Sequence, residues 1–197
     1  MKGKTYQYHY GGIVEVKRYF ALTMGWRVDD CTKTKRYQKE DIDFIVHKPD
    51  GSEQSIALKV DGEAHQTGNV YVEVLMEREK NSAGWLNYCK ADVVYYYLRE
   101  IGQAVLLDRR ELQKLCETEE ADKWKRRHLN RTDMCNAQAY VFSIRALQET
   151  PAYIGTVNID ARARRTAAAD RKPEVIPFAE KVQETEPAEF EQVSLLG

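Results

Sequence analysis

The stretch Glu40 to Asp61, EDIDFIVHKPDGSEQSIALKVD, decides the fold. Apolar and polar side chains alternate over 41–46 and again over 56–61, which is the period of a β-strand with one buried face. Lys48-Pro49-Asp50-Gly51 lies between the two runs. Its proline fixes φ and its glycine accepts a positive φ, as a tight turn requires. The stretch therefore predicts a β-hairpin.

The hairpin places two opposite charges on neighbouring strands. Asp43 lies on the first strand and Lys59 on the second, so we expect their side chains to meet on the same sheet. A charged pair among apolar residues costs desolvation and is typical of functional positions. The alternative is a surface ion pair between strands, which contributes little to stability.

The elements around the hairpin predict an α/β fold. The spacing of apolar residues predicts a helix over 13–24 that ends at Gly25, with Gly11-Gly12 breaking the chain before it. Strands are predicted over 26–30, 69–76, 91–98, 103–107, 139–144 and 153–159, and a further helix begins at Asp108. We expect a mixed central sheet with a layer of helix on each side, to which the strand over 139–144 returns.

An Asp on one strand and an acid-x-Lys on the next form the core motif of the PD-(D/E)XK nucleases. This chain resembles that superfamily over about residues 11–116. Asp43 stands at the position of the metal-binding Asp, and Ala57-Leu58-Lys59 stands at the position of the acid-x-Lys. The resemblance implies a restriction-endonuclease-like core. Ala57 departs from the motif, because its methyl group cannot bind a metal.

The resemblance also implies a chemistry. Such a protein hydrolyses DNA phosphodiesters with Mg²⁺ or Mn²⁺, which are held by hard carboxylate oxygens. The metal ligands implied here are Asp43, Glu73 and Glu15, while Lys59 orients the water or screens the phosphate, and Ala57 marks the missing Glu. The alternative for Glu15 and Glu73 is that each faces solvent.

Three interpretations of Ala57 stay open at this point. In the first, Ala57 is a Glu-to-Ala change made to trap an inactive protein. In the second, Ala57 is natural and Glu73 supplies the missing ligand. In the third, the site is inactive and the fold is kept for binding DNA. In every case the loss of two oxygens and one charge lowers metal affinity.

The charge distribution favours nucleic acid as a partner. The whole chain has a net charge of −1, but residues 170–197 carry three basic and seven acidic side chains, which leaves +3 on residues 1–169. Phosphate contacts are predicted from two basic groups, which are Lys33, Lys35, Arg36 and Lys39, and Lys125, Arg126 and Arg127. The alternative for the second group is a solvated helix face.

The C-terminal region predicts a tethered peptide. Residues 1–160 form the nuclease-like domain, and 161–191, rich in Pro and Glu, are predicted to be a flexible acidic tether. Residues 192–197, QVSLLG, resemble the bacterial sliding-clamp-binding peptide. The resemblance implies that Gln192 and Ser194 make polar contacts while Leu195 and Leu196 fill an apolar pocket of the clamp.

Two functional hypotheses follow. The first is a metal-dependent DNA nuclease, inactive where Ala57 disables it, that is tethered to a replication clamp. The second is a non-catalytic DNA- or clamp-binding protein on the same fold. Four cysteines without a C-x-x-C pair predict reduced thiols in a cytoplasm, and no apolar run of about 18 residues predicts a protein without a membrane partner. The resemblance to the clamp-binding peptide implies that the cell is bacterial or phage-infected.

Overall fold

The computed structural model describes residues 2–77, 82–118, 125–132, 135–160 and 163–164. The helices are α1 (Lys2–Arg18), α2 (Lys35–Lys39), α3 (Ala64–Thr67), α4 (Trp85–Tyr88), α5 (Arg109–Glu117) and α6 (Ile144–Leu147), and a π-helical turn, Tyr19–Thr23, continues α1. The strands are β1 (Arg27–Asp30), β2 (Phe44–His47), β3 (Glu53–Asp61), β4 (Asn69–Glu77), β5 (Ser82–Ala83), β6 (Val93–Leu98), β7 (Gln103–Asp108), β8 (Lys125–Thr132), β9 (Cys135–Ser143) and β10 (Tyr153–Asn158). Within these ranges no helix is both long and apolar enough to span a bilayer.

The central sheet has six strands in the order β1-β2-β3-β6-β7-β10. Strands β3 and β6 run parallel, and the other neighbouring pairs run antiparallel. The predicted hairpin is confirmed as β2 and β3, with Phe44 opposite Ile56. The crossover from β3 to its parallel neighbour contains α3, β4, β5 and α4. The protein therefore has a mixed α/β fold with helices against the sheet.

A second, antiparallel sheet has the order β5-β4-β9-β8. The prediction that the strand over 139–144 returns to the central sheet is wrong, because β9 pairs with β4 over Asn69–Glu73 instead. The basic run is strand β8, so its interpretation as a helix face is wrong too. Val72 and Phe142 of this second sheet are fully buried and belong to the core that covers one face of the central sheet.

Strand β3 is buried on both faces where its side chains alternate. Ile56 and Leu58 pack with Phe20 in the core beneath α1 and its π-helical extension. Ala57 points to the opposite face, where it joins the core shared with Val94 and the second sheet. Lys59 and Asp61 follow Ala57 at intervals of two and continue that second face toward the end of the strand.

Helix α1 passes through Gly11 and Gly12, so the predicted break there is wrong. A Cβ atom on Gly12 would lie 2.6 Å from Val60 Cγ2, and one on Gly11 would lie 2.2 Å from Arg99 Nη2. The two glycines therefore let the helix backbone approach the sheet. The predicted end of the helical segment is confirmed, because Gly25 has φ +66°.

Candidate functional site

A pocket of about 500 Å³ lies beside the C-terminal half of β3, where β2 no longer pairs with it. Its wall contains four carboxylates, two basic groups and three aromatic rings, contributed by α1, the turn before β2, the end of β3, the crossover and β6. These residues are Asp41, Asp43, Asp61, Glu63, His9, Lys59, Tyr71, Trp85 and Tyr96. Two of the predicted site residues, Asp43 and Lys59, therefore share one pocket.

Asp43 lies just before β2 and is held by β3. Its N–H donates to Ile56 O at 2.8 Å, and its Oδ2 accepts from Leu58 N at 2.7 Å. Burial raises the pKa of Asp43 from 3.8 to about 6, although the Leu58 N–H and the charge of Lys59 act in the opposite direction. The pKa of Asp43 therefore lies closer to neutral pH than the pKa of an exposed carboxyl group.

Lys59 forms its ion pair with Asp41 rather than with Asp43, although Asp43 and Lys59 line the same pocket. The Lys59 Nζ lies 2.7 Å from Asp41 Oδ1 and 2.6 Å from Oδ2. Asp41 lies in the turn before β2 with a φ of +53°, and its carboxylate contacts the ammonium of Lys59 on β3. The ammonium also lies 5.0 Å from the centre of the Trp85 ring, within cation–π range.

Glu73 lies on β4 of the second sheet, opposite Ala139. Burial raises the pKa of Glu73, while the charge of Lys59 and a backbone hydrogen bond with Trp85 lower it. Its carboxylate is thus half-buried and within the electrostatic reach of Lys59, without being one of the residues that line the pocket wall.

Glu15 lies away from the pocket. Its Oε1 accepts from Arg99 Nη2 at 2.7 Å, and its Oε2 accepts from the Tyr97 hydroxyl at 2.8 Å. Both Glu15 and Arg99 are buried, and Tyr97 belongs to the core beneath α1. Each carboxylate oxygen of Glu15 therefore has a hydrogen-bond donor in the core, and Glu15 does not line the pocket that contains Asp43.

Ala57 is fully buried and lies opposite Asp43, one residue beyond the Phe44–Ile56 pair. A side chain at this position shares a face with both Lys59 and Asp61 of its own strand. Its methyl group contributes to the core and offers no ligand atom.

The carboxylates of the pocket do not fit a bound Mg²⁺ or Mn²⁺ ion. Asp41 is engaged by Lys59, while Asp61 accepts from the N–H groups of Glu63 and Ala64 and from the Tyr96 hydroxyl. In the part of the chain that the structure describes, no three His, Cys, Asp or Glu side chains form a group able to hold a metal ion. A hard dication needs several such oxygens in one shell.

Most residues of the pocket wall were not predicted as site residues from the sequence, among them the charged or titratable residues Asp41, Asp61, Glu63 and His9. Asp61 was detectable, because it lies two residues beyond Lys59 on β3 and so shares its face of the strand, whereas Asp41 lies in a turn before β2 where the strand period does not apply. Burial and the charge of Lys59 lower the pKa of His9, although the charge of Asp41 raises it. His9 had no sequence signal, because it enters through the packing of α1.

The structure describes the side chains of one of the two basic groups that were predicted to contact phosphates. Lys33, Lys35, Arg36 and Lys39 are exposed, and three of them lie on α2. This segment, which we call the α2 basic segment (33–39), leads within two residues to Asp41. Lys125, Arg126 and Arg127 lie on β8, but their side chains are outside the described part of the structure.

The predicted clamp-binding residues Gln192, Ser194, Leu195 and Leu196 lie outside the described residues, as does the predicted tether apart from residues 163–164.

Comparisons of the chain with protein-family models, with curated proteins and with solved structures gave no match.

Proposed function

We propose that this protein derives from metal-dependent DNA nucleases of the PD-(D/E)XK type and that, with Ala57 in place, it binds DNA at the pocket without cleaving it efficiently. The observation that carries this proposal is the position of Ala57. It faces Asp43 across adjacent strands and precedes Lys59 on the same face, where the resemblance expects an acid.

The order of elements supports the same lineage. Helix α1 is followed by three antiparallel strands, a crossover with helices, and a fourth strand parallel to the third. This is the order that a restriction-endonuclease-like core uses. It is a shared architecture, and the assignment of the activity depends on the site rather than on the fold.

DNA binding is supported by the charges next to the pocket. The α2 basic segment (33–39) is exposed and leads directly to the pocket wall at Asp41. Lysine and arginine side chains of this kind contact phosphates, so they set affinity and salt dependence rather than sequence preference. Binding is therefore expected to weaken steeply as salt increases.

Restoring the missing acid tests the lineage. Ala57→Glu places a carboxylate beside Asp43, and Ala57→Gln is the matched uncharged control. With Mg²⁺ or Mn²⁺ we expect Ala57→Glu to cleave linear, branched or single-stranded DNA, Ala57→Gln and the natural chain to cleave little, and Asp43→Asn to abolish the gain. Absence of cleavage by Ala57→Glu would contradict the nuclease lineage, and absence of DNA binding by the natural chain would contradict the binding function.

Thermal unfolding supplies a readout that does not depend on cleavage. A second carboxylate at position 57 is buried beside Asp43, so Ala57→Glu should lower the Tm in the absence of metal. Adding Mg²⁺ should then raise its Tm, because a ligand that binds only the folded state stabilises it. The Tm of Ala57→Gln should not respond to Mg²⁺.

Glu73 supports a second candidate, in which the natural chain is itself a slow nuclease. Burial raises the pKa of Glu73 and the charge of Lys59 acts against that rise, so the Glu73 carboxylate lies within the electrostatic reach of Lys59 although it does not line the pocket wall. If Glu73 supplies the missing ligand, the natural chain should show metal-dependent cleavage that Glu73→Gln removes.

We also propose, from the sequence resemblance alone, that residues 192–197 bind a bacterial sliding clamp. Replacement of Leu195 and Leu196 by Ala should abolish binding of the full chain to a clamp in calorimetry, whereas Val193→Ala, at a variable position of the motif, should preserve it. Unchanged binding after the double leucine replacement would refute this proposal.

A further inference from the structure

The ion pair between Lys59 and Asp41 lies in the wall of the pocket. Both oxygens of Asp41 lie within 2.7 Å of the Lys59 ammonium. Among the described residues, Lys59 is the only lysine or arginine in the pocket wall. We propose that Asp41 is a latch that holds Lys59 until a backbone phosphate of DNA displaces it. This inference rests on the proposed DNA-binding function.

The ion pair is partly shielded from water. The side chains of Lys59 and Asp41 are 20% and 14% exposed, so they attract each other more strongly than a surface pair does. The face of Trp85 contacts the same ammonium and fixes its position against the pocket wall. Lys59 is thus held in place by two groups, of which one carries a negative charge that a phosphate can replace.

Among the three aspartates of this pocket, Asp41 is the one whose carboxylate contacts a charged side chain. Asp43 accepts from the Leu58 N–H, and Asp61 accepts from two N–H groups and the Tyr96 hydroxyl. Displacing either of these would leave main-chain donors unpaired at a cost. Displacing Asp41 leaves Lys59 paired with the incoming phosphate, while the freed Asp41 carboxylate loses its ion-pair partner, a cost that Asp41→Asn avoids.

The backbone around Asp41 connects this latch to the α2 basic segment (33–39). Asp41 has φ +53°, a conformation that is uncommon for a residue other than glycine. The turn is secured by the N–H of Ile42, which donates to Tyr37 O of α2 at 2.9 Å. Phosphate contacts on α2 therefore act on the same short stretch of backbone that aims the Asp41 carboxylate at Lys59.

The test compares DNA affinity in variants of the full chain. Asp41→Asn removes the charge and keeps a residue type that accepts the positive φ, and Asp41→Gly accepts that φ without steric cost. Asp50→Asn is the matched control, because it removes one negative charge from the far end of the hairpin, where Asp50 accepts from Ser52. The probe is a fluorescent 20-nucleotide DNA, single-stranded or duplex, measured by anisotropy at fixed salt.

We expect Asp41→Asn and Asp41→Gly each to tighten binding about tenfold, the scale of one hydrogen bond to a charged group, and Asp50→Asn to change it less than twofold. Adding Lys59→Met to Asp41→Asn should remove the gain. If Asp41→Asn gains no more than Asp50→Asn, or keeps its gain without Lys59, the latch is overturned.

These outcomes separate the latch from the proposed function. Binding by the natural chain with no gain in the Asp41 variants overturns the latch alone. Binding by the Asp41 variants without binding by the natural chain supports the latch and contradicts the proposed function. Absence of binding by every variant contradicts both.

Discussion

Asp43 shows how one residue links stability to function. Its carboxyl group is buried, yet in the described structure its hydrogen bond to a main-chain donor comes from Leu58 alone. Burial raises the pKa of Asp43 to about 6, so at neutral pH the folded protein holds an ionised group at a cost. Residues that destabilise the fold in this way are typical of functional positions, where activity opposes stability.

Replacing Asp43 by Asn should stabilise the protein above pH 6. The pKa of the carboxyl is 3.8 when exposed and about 6 in the fold, so the natural chain loses stability as pH rises between these values and stays at the lower level above them. A shift of about two units corresponds to about 3 kcal/mol. We expect Asp43→Asn to exceed the natural chain by about 2 kcal/mol at pH 8 and to match it near pH 4, in urea unfolding.

The control for this prediction is Asp50→Asn. A hydrogen bond from Ser52 lowers the pKa of Asp50, which is the opposite direction. Asp50→Asn should therefore give no gain at pH 8. A loss of stability in Asp43→Asn at pH 8 would contradict the desolvation of Asp43.

Residue partners were predictable from the sequence only where the strand period determines them. The alternation along β3 correctly placed Ala57, Lys59 and Asp61 on one face. It could not identify Asp41 as the partner of Lys59, because that contact depends on a positive φ at a residue other than glycine. Nor could it show that Glu15 is paired with Arg99, which is 84 residues away in the chain.

At the scale of elements, the approach of α1 to the sheet depends on glycine. Alanine normally stabilises a helix interior by about 1 kcal/mol relative to glycine. At position 12 the added methyl would lie 2.6 Å from Val60, so we expect Gly12→Ala to cost about 1–3 kcal/mol in urea unfolding instead. Val60→Ala should recover part of that loss in the double variant.

Gly155 provides the matched control for this prediction. It lies on the edge strand β10, and a Cβ atom there would meet nothing within 4 Å. Gly155→Ala should therefore be neutral or mildly stabilising. If Gly12→Ala stabilised the protein, the close contact between the helix and β3 would be refuted.

The pair Glu15–Arg99 fastens α1 to the end of β6. Both residues are buried, and Arg99 also donates to the backbone carbonyl of Tyr8. Breaking such a pair leaves an uncompensated charge, so Glu15→Met should cost about 3–5 kcal/mol. The double variant Glu15→Met/Arg99→Met should be less destabilised than Glu15→Met alone, as measured by urea unfolding.

This prediction also separates two roles of Glu15. If Glu15 only fastens the helix, the double variant should keep the DNA affinity of the natural chain at temperatures where both are folded. A large loss of affinity in a folded double variant would instead place Glu15 in the binding site.

At the scale of the whole molecule, the sequence predicted the central sheet better than the second one. The hairpin and the strands at β6, β7 and β10 followed from local alternation and turn residues. The alternation in β4 and β9 predicts two strands equally well, but it does not say which strands pair. Their pairing joins Asn69 with Ser143, so it is set by tertiary packing that no local pattern encodes.

The opposite net charges of residues 1–169 and 170–197 lead to a prediction about the chain as a whole. Residues 170–197 carry a net −4 and the preceding 169 residues carry +3. If the chain binds DNA as we propose, we expect the acidic part to compete with DNA for the basic side chains. A variant that ends at residue 169 should bind DNA more tightly at 50 mM salt. Because the Debye length falls to about 3 Å near 1 M salt, the advantage should shrink as salt rises.

A full-length variant in which the six glutamates of 170–197 are changed to Gln should reproduce the gain, since it removes the charge and keeps the length. If the shortened chain gained affinity and the Gln variant did not, the C-terminal region would act by occupying space, and electrostatic competition would be refuted.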